Sequence, residues 1–454
     1  MPLPDISRPV TQSEPAAGPT AADPVPPPAP PPHPSHAAAP VDHSRRRVLL
    51  GAPALAGALA VPGAVAQSRP QDRWSAGWGC APAGPPPAAS TLAFTDQTLR
   101  LVVRTSLGGK RVRIRLSNEM GSTDLRIGAA RIAVRLGGAE VNAAGNRQLT
   151  FGGRTAITIP AGAPALSDPV TLTVTPLTDL SVSLYLPGTA RATTIHNAAY
   201  QASYVSTTGD HCAAAALPVQ RAFGSWPFLT EVDVESAAPA LVAIGDSVTD
   251  GVGSTSSANC RWTDWLARRV QAELGASRIG IVNRGIAANR LLADDATALL
   301  AGNDVLERFD RDVLATAGVR SLIVLIGIND IVYSPSTRPI PAEELIAGYL
   351  QLVARAHLHG ITVVGATLPP FYGFVYYTPE REAVRQAVNA WIRSAGAFDA
   401  LADIDLVLRN PGAPMSLRAE YDSGDRLHPN DLGYQALATA IPLPSLASLL
   451  FTGR

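Results

Sequence analysis

The sequence predicts an α/β protein in which a β-sandwich domain precedes a doubly wound domain with a parallel sheet. Three observations support this prediction. Segments before residue 235 alternate apolar and polar residues with period two. Segments after residue 240 alternate apolar strand patterns with amphipathic helical patterns. The 454 residues, 46% of them apolar, also suffice for two domains with substantial cores.

The first 66 residues predict a leader rather than a folded domain. Residues 1–43 are a Pro/Ala-rich tract that cannot bury enough surface to offset its ordering entropy, so we expect disorder. Residues 44–66 begin with Ser-Arg-Arg, continue as an apolar stretch and end in Ala-Val-Ala, which resembles a twin-arginine signal peptide with its cleavage site. A transmembrane helix is the alternative, but the prolines inside the apolar stretch argue against it. We expect a secreted or periplasmic protein with no stable membrane insertion after cleavage.

The β-sandwich is expected over residues 72–234 as an accessory domain. No amphipathic helical pattern interrupts this region, and many short strands at such spacing are typical of a sandwich. Its role is support or carbohydrate binding, and its tryptophans fit either sugar stacking or core packing. The predicted strands are 99–107, 111–118, 126–136, 154–160, 170–176 and 180–187.

Three cysteines follow the predicted signal: Cys80, Cys212 and Cys260. None belongs to a Cys-x-x-Cys pair, so the sequence gives no support for a zinc site. An exported protein can carry a disulfide. Because Cys80 and Cys212 flank the β-sandwich, they are the predicted pair.

The region 238–454 predicts the parallel sheet. The first three strand candidates lack alternation, as expected when helices cover both faces of a sheet. In such folds the ligand site lies beyond the carboxyl ends of the strands. The strand candidates are 240–246, 279–285, 321–327, 361–367 and 402–408, and the helix candidates are 262–274, 305–317, 341–360 and 381–396.

A serine nucleophile is predicted where the first of these strands ends in Gly-Asp-Ser-Val-Thr-Asp-Gly, in which Ser247 is the third residue. A serine hydroxyl needs a base, usually histidine. His428 remains as that base, and Asp425, three residues earlier, can accept its Nδ1–H and orient the ring. The other histidines lie in the leader, in the β-sandwich or at a helix end: His33, His36, His43, His196, His211, His357 and His359.

Acyl transfer also requires donors for the oxyanion that forms on the carbonyl. The backbone N–H groups of Ser247 and Gly285 and the side-chain amide of Asn329 are the predicted donors. All three residues lie at or directly after the ends of consecutive strand candidates, so one crevice can hold them.

Four blocks in this order resemble the SGNH, or GDSL-type, hydrolase family: IGDSVTDG (244–251), NRGIAANR (283–290), GIND (327–330) and DRLHP (425–429). The resemblance implies a three-layer α/β/α domain. It also implies Ser247 as nucleophile, His428 as base, Asp425 as its orienter, and Ser247, Gly285 and Asn329 as the oxyanion hole. Val248 departs from the leucine of the name-giving motif. The β-rich region before this domain resembles secreted bacterial esterases.

Composition narrows the function further. Lys+Arg and Asp+Glu both number 37, which argues against a nucleic-acid partner. No P-loop or Gly-x-Gly-x-x-Gly is present, so no cofactor and no metal are expected.

The leading interpretation is a secreted serine esterase that acts on short-chain acyl or acetyl esters, either small molecules or polysaccharide-linked. Lipase, lysophospholipase and thioesterase activities fit the same residues, and the aromatic loop 369–379 could line an acyl or sugar pocket or pack between the domains. A non-catalytic carbohydrate-binding wall protein is the alternative of another class. Such a protein should lack at least one of Ser247, His428 and Asn329, and all three are present.

Overall fold

The computed structural model describes residues 73–294, 299–335 and 337–451. These residues belong to one compact unit that spans 68–454. The predicted leader (1–43) and export signal (44–66) lie outside the described residues. The division into domains at 72–234 and 238–454 stays an interpretation of the sequence, so the two parts are called the β-rich region and the α/β region below.

The β-rich region consists of short strands, one 3-10 turn at Ala143–Gly145 and connecting loops. Its strands are β1 Trp74–Gly79, β2 Ala93–Thr105, β3 Gly109–Ser117, β4 Leu125–Ile127, β5 Ala129–Gly137, β6 Glu140–Val141, β7 Arg147–Gln148, β8 Ile157–Ile159, β9 Pro164–Leu166, β10 Val170–Val174, β11 Thr178–Arg191, β12 Ile195–His196, β13 Ser203–Thr208, β14 Val219–Phe223, β15 Trp226–Pro227 and β16 Leu229–Glu235.

Two antiparallel sheets make up most of this region. One has the order β1-β16-β3-β10, with β9 also paired to β3, and the other has the order β14-β13-β2-β11-β5-β6, with β7 also paired to β5. Buried side chains of both sheets, such as Ile114 of β3 and Leu101 of β2, belong to one hydrophobic cluster. Apolar residues at alternate strand positions therefore fill a common core. A β-rich region is confirmed, and its description as a sandwich stays a prediction.

The predicted disulfide between Cys80 and Cys212 is wrong. All three cysteines lie within the described ranges and are free thiols. Each of the two predicted partners is buried among other side chains: Cys80 Sγ donates to Leu229 O at 3.4 Å and Cys212 Sγ to Ala129 O at 3.7 Å. The two thiols thus contact different strands, β16 and β5, which belong to different sheets.

The α/β region alternates strands and helices. Its strands are β17 Ala240–Gly245, β18 Gly280–Gly285, β19 Val319–Leu325, β20 Thr362–Ala366, β21 Ala400–Ala402, β22 Arg409–Asn410 and β23 Ala413–Leu417. Its helices are α1 Ser247–Asp250, α2 Trp262–Glu273, α3 Val305–Phe309 (continued by a π-helix, Asp310–Leu314), α4 Ile328–Val332, α5 Ala342–Leu358, α6 Pro379–Ser394, α7 Ile404–Leu408, α8 Asp431–Thr439 and α9 Leu443–Phe451, with 3-10 turns at Leu299–Ala301 and Ala419–Tyr421.

The predicted parallel sheet is confirmed, with the order β18-β17-β19-β20-β21. Along β17, Val242 and Ile244 point into a cluster that includes residues of α5 and α6, whereas Leu241 and Ala243 point into a cluster with residues of α2 and α8. Helices thus cover both faces, which explains the unbroken apolar runs of the strands. β18 and β19 lie on opposite sides of β17, so the connections after β17 and after β19 run in opposite directions. A crevice therefore opens between the carboxyl ends of β17 and β19.

One strand prediction is wrong. Residues 402–408 do not form a strand beyond Ala402, because α7 occupies Ile404–Leu408 and the preceding strand β21 ends at Ala402. Asp403 Oδ1 accepts the Leu406 N–H at 3.1 Å and so caps the helix. A short run of isoleucine, leucine and valine fits a strand or a buried helix equally well, and the capping aspartate decides in favour of the helix.

No single helix in the described ranges is both long and apolar enough for a membrane span, and α8 with α9, bent by 53° at their junction, meets that test only as a pair.

The β-rich and α/β regions make direct contact. Arg284 of β18 is buried and forms an ion pair with the buried Glu231 of β16, and it also donates to Thr230 O at 3.0 Å. Ala76 N of β1 donates to Ala317 O at 2.9 Å. These contacts attach the edge strand β18 and the residues directly before β19 to the β-rich region.

Candidate active site

Ser247 begins the helix α1 immediately after β17. Asp246 caps this helix through its side chain, which accepts the Val248 N–H at 3.0 Å. Glycine is required before this turn, since a Cβ on Gly245 would lie 2.2 Å from Thr249 Oγ1 and 2.4 Å from Leu325 O. Gly251 ends the helix with φ 110°, a conformation that favours glycine. The local sequence thus forces the chain to turn sharply at Ser247.

The loop before α8 brings His428 to Ser247. His428 Nε2 lies 2.8 Å from Ser247 Oγ, although the residues are 181 positions apart. His428 Nδ1 lies 2.5 Å from Asp425 Oδ2. When the Nδ1–H donates to this carboxylate, Nε2 is left free to accept the serine hydroxyl proton. The structure therefore brings together the three residues that the sequence predicts as nucleophile, base and orienter.

Asp425 is fixed by the loop that carries it. Its Oδ1 accepts the backbone N–H of Leu427 at 3.0 Å and of His428 at 2.9 Å. Burial pushes the pKa of Asp425 upward, but the hydrogen bonds from the His428 side chain and backbone outweigh it and hold that pKa at about 2. The carboxylate is therefore ionised at every pH at which the protein could act as an esterase.

Two of the predicted oxyanion donors are available beside Ser247. Within the described residues, the Ser247 N–H has no acceptor. Asn329, buried in α4, donates one Nδ2–H to Asn289 O at 2.9 Å, which fixes the amide and leaves its second hydrogen for a ligand.

Gly285 has a different environment from the one predicted. Its N–H donates to Asn283 Oδ1 at 2.8 Å and is thus engaged. A Cβ on Gly285 would lie 2.2 Å from Asp250 N, so this glycine permits β18 to pack closely against α1. Its part in an oxyanion hole stays a prediction.

The loop after Gly285 offers another donor. Ala288 has φ 63°, in the left-handed region, and its N–H has no acceptor within the described part of the chain. The following residue, Asn289, holds the Asn329 amide, so Ala288 lies next to the predicted oxyanion donors. The sequence gives no signal for this, since glycine rather than alanine is the usual sign of such a conformation.

Two further carboxyl groups are buried around the site. Burial raises the pKa of Asp246 to about 7, against the opposing effects of the Val248 N–H and of His428. Burial raises the pKa of Asp330 to about 6, although its oxygens accept the N–H groups of Leu291 and Leu292 at 2.8 and 3.0 Å. The Asp246 side chain caps the helix of Ser247, and the Asp330 side chain joins α4, which carries Asn329, to the loop after β18.

The sequence of the α/β region decides the family. A profile of the GDSL-like Lipase/Acylhydrolase family matches residues 243–436. Residues 243–436 form a GDSL-like lipase/acylhydrolase domain. This GDSL-like domain belongs to a hydrolase family and encloses all of the predicted site residues: Ser247, Gly285, Asn329, Asp425 and His428.

Comparison with solved structures gives neighbours of low identity. A protein of the G-D-S-L family from Desulfitobacterium hafniense is 22% identical over 44% of this chain and 96% of its own, with a TM-score of 0.35. An acetylxylan esterase from Geobacillus stearothermophilus is 22% identical over 46% of this chain and 94% of its own, also with a TM-score of 0.35. An α/β hydrolase from the metagenome of Lake Arreo is 23% identical over 47% of this chain and 97% of its own, with the same TM-score of 0.35. No curated protein matches by sequence.

The aromatic loop 369–379 of the GDSL-like domain lies beside the segments that carry Asn329 and His428. Phe371 forms a small buried cluster with Ile328 and Leu427, the neighbours of Asn329 and His428. Tyr372, Val375 and Tyr376 of the same loop are exposed. Of the two roles predicted for this loop, the position next to His428 favours a wall of the substrate site.

A group of carboxylates that could hold a cation lies outside this site. One oxygen each of Asp294, Asp304 and Glu307 lies within 4.8 Å of the others. Asp304 is at the same time the N-cap of α3, where Oδ1 accepts the Glu307 N–H at 2.9 Å. Helix capping accounts for this cluster, and none of the predicted site residues belongs to it.

Proposed function

We propose that the protein is a serine esterase in which Ser247 is the nucleophile, His428 the base and Asp425 the residue that orients it. The observation that carries the proposal is the continuous chain from Ser247 Oγ to His428 Nε2, at 2.8 Å, and from His428 Nδ1 to Asp425, at 2.5 Å. A buried serine at the start of a helix needs no such chain for folding, whereas acyl transfer requires it.

The proposed reaction has two halves. Ser247 Oγ attacks the ester carbonyl while His428 Nε2 takes the hydroxyl proton, and the imidazolium then donates this proton to the leaving alcohol oxygen as the ester C–O bond breaks. Water, deprotonated by the same nitrogen, attacks the acyl-enzyme and releases the carboxylic acid and Ser247. Asp425 remains ionised and stabilises the imidazolium in both halves.

The oxyanion is held by the Ser247 N–H and the second Asn329 Nδ2–H. We propose the Ala288 N–H as the third donor in place of the predicted Gly285, because the Gly285 N–H already binds Asn283 and the Ala288 N–H is free within the described residues.

Short acyl esters are the proposed substrates. A cleft of about 330 Å³ lies beside α1, and Asp250 and Ala288 form part of its wall. This volume is at the low end of the range for small-molecule sites, about 300–1,000 Å³. Small side chains, such as Ala83 and Ala198, form the opposite wall. We propose that the exposed tyrosines of 369–379 contact the alcohol portion of the ester. A polysaccharide is one candidate for this alcohol portion.

Export by the twin-arginine-type signal at 44–66, to a secreted or periplasmic location, is part of the proposal and rests on the sequence alone. We also propose that the β-rich region is a sandwich, which is supported by the core that its two sheets share. Carbohydrate stacking on Trp78 and Trp226 is not favoured, because both rings are buried and pack edge to face at 4.9 Å.

The proposal is tested by hydrolysis of p-nitrophenyl acetate, butyrate and decanoate, with Ser247→Ala as the matched variant. We expect turnover that falls from acetate to decanoate and disappears in Ser247→Ala. A preference for decanoate would favour the lipase alternative. Equal background rates for both proteins would overturn the esterase proposal and favour a binding protein.

A further inference from the structure

A histidine of the β-rich region reaches the helix of Ser247. His196, in β12, is buried, and its Nε2 lies 3.0 Å from Asp250 Oδ1. Its Nδ1 lies 2.9 Å from Ala81 O. Both ring nitrogens thus face oxygen acceptors, and a ring with hydrogen on Nε2 donates to the Asp250 carboxylate. The two side chains form a buried contact between the β-rich region and α1.

Asp250 connects His196 to the loop after β18. It is the last residue of α1, three positions after Ser247, and its Oδ2 accepts the Ala287 N–H at 2.9 Å. The next N–H along the chain belongs to Ala288, whose backbone is left-handed and whose N–H has no acceptor within the described residues. One carboxylate therefore joins His196 to the peptide next to the proposed oxyanion donor.

The position of the His196 ring is fixed from its other side. The ring stacks on Trp226 with centroids 5.4 Å apart and planes at 29°. Trp226 in turn donates its Nε1–H to Val102 O at 2.9 Å. Arg261 donates to the backbone oxygen of Asp250 at 2.7 Å and places its guanidinium 5.4 Å from the Trp226 ring centre. Such a set of contacts holds a donor in one orientation rather than only filling space.

We propose that His196 is a positioning residue for ester hydrolysis: through Asp250 it holds the Ala287 peptide so that the Ala288 N–H points at the oxyanion. The β-rich region thereby completes the active site of the GDSL-like domain. This inference rests on the proposed function. Loss of the contact is expected to lower kcat more than to raise KM, because the oxyanion forms only in the transition state.

The test compares His196→Phe, Asp250→Ala and Asp250→Asn in the full chain, with kcat and KM measured on p-nitrophenyl acetate. Phenylalanine keeps the stacking on Trp226 and removes the hydrogen bond. Asparagine at 250 can accept the Ala287 N–H through Oδ1 and donate through Nδ2 to Nε2 of a neutral His196 ring, so it keeps both contacts. His357→Phe is the matched control. His357 lies near the end of α5, and its ring pairs with Asp399 at 2.8 Å and not with a residue of the site.

We expect His196→Phe and Asp250→Ala to lower kcat about 10- to 100-fold with KM changed less than about threefold, Asp250→Asn to lower kcat less than Asp250→Ala does, and His357→Phe to retain most of kcat. Unchanged kcat in His196→Phe, or equal losses in Asp250→Asn and Asp250→Ala, would overturn the inference. If His196→Phe does not fold, the comparison of kcat between Asp250→Ala and Asp250→Asn tests the inference. Failure of the proposed function is distinct, since wild type and Ser247→Ala would then have equal rates.

Discussion

His428 Nε2 lies 2.8 Å from Ser247 Oγ, and the two residues are joined by the fold and not by neighbouring sequence. Ser247 follows β17, an interior strand of the parallel sheet, whereas His428 belongs to the loop that precedes α8. Asn329 follows β19, the neighbour of β17. The strand order thus brings Ser247 and Asn329 to the same crevice, as expected for a sheet that is wound in both directions from β17, and the loop before α8 adds His428.

Asp425→Asn is expected to lower kcat by about 10³–10⁴-fold with little loss of stability. An asparagine can donate to Nδ1 and so favour the tautomer whose Nε2 carries the proton and cannot accept the serine hydroxyl. The measurement is kcat on p-nitrophenyl acetate together with the thermal melting temperature. Retention of most activity would contradict the role of Asp425, and Asp422→Asn, in the same loop, is the control.

The activity of the wild type is expected to fall as the pH drops from about 8 to 5, because an imidazolium cannot act as base. Asp425 does not contribute to this fall, since its hydrogen bonds to His428 hold its pKa at about 2. A pH profile of kcat/KM checks this. A flat profile from pH 5 to 8 would count against His428 as the base.

Asn329→Ala is expected to lower kcat about 10²–10³-fold, because one oxyanion donor is lost. The KM should change little, since the donor acts mainly in the transition state. The same substitution frees Asn289 O, so the melting temperature is measured in parallel. A rise in KM with kcat unchanged would indicate ground-state binding instead.

Asp246→Asn is expected to raise the free energy of unfolding at pH 8 by a few kcal/mol and to leave it unchanged below pH 4. Burial raises the pKa of Asp246 in the folded protein to about 7, whereas the carboxyl of an unfolded chain titrates near pH 4, about 3 units lower. The folded state therefore binds more protons between these values. The stability contributed by the neutral carboxyl is complete below pH 4 and is lost as the pH rises to 7.

Urea unfolding of wild type and Asp246→Asn at pH 4, 6 and 8 tests this dependence. The asparagine resembles the neutral carboxyl and can still accept the Val248 N–H. The exposed Glu140→Gln is the control and should follow the wild type. A constant difference between wild type and Asp246→Asn at all three pH values would show that Asp246 does not titrate in this range.

Arg284→Met is expected to lower the free energy of unfolding by about 3–5 kcal/mol, because it removes the closest cation of the fully buried Glu231, although Arg115, at 3.6 Å, and the Ala317 N–H stay beside it. The double substitution with Glu231→Leu should recover most of this loss, since neither charge of the pair then remains. Glu273→Ala, which breaks a surface pair with Arg269, is the control and should cost less than about 1 kcal/mol. A loss in Arg284→Met no larger than the control would contradict a structural role for the pair.

Features that depend on local sequence could be predicted. The parallel strands follow from unbroken apolar runs, and the turn at Ser247 follows from Gly245, Asp246 and Gly251, each of which has a local steric or capping reason. The proximity of Ser247 and Asn329 could be expected because strand ends share one edge of the sheet. His428 and Asp425 follow no strand of that sheet and were predicted by elimination among the histidines and by the family resemblance.

Features that depend on contacts between distant segments could not be predicted. His196 is distant in sequence from Asp250, and nothing in its local pattern indicates that its ring faces that carboxylate. The positive φ of Ala288 is imposed by its surroundings and not by its residue type. The predicted Cys80–Cys212 pair was wrong for the same reason, since the strands that the two thiols contact, β16 and β5, cannot be inferred from sequence spacing.

The central claim is that Ser247 forms a covalent acyl-enzyme, and the most direct measurement is its labelling by a fluorophosphonate followed by peptide mass spectrometry. We predict one label per chain, on the peptide that contains Ser247, and loss of this label in His428→Ala. A label on another residue, or hydrolysis of p-nitrophenyl acetate by a chain whose Ser247 stays unlabelled, would contradict the account.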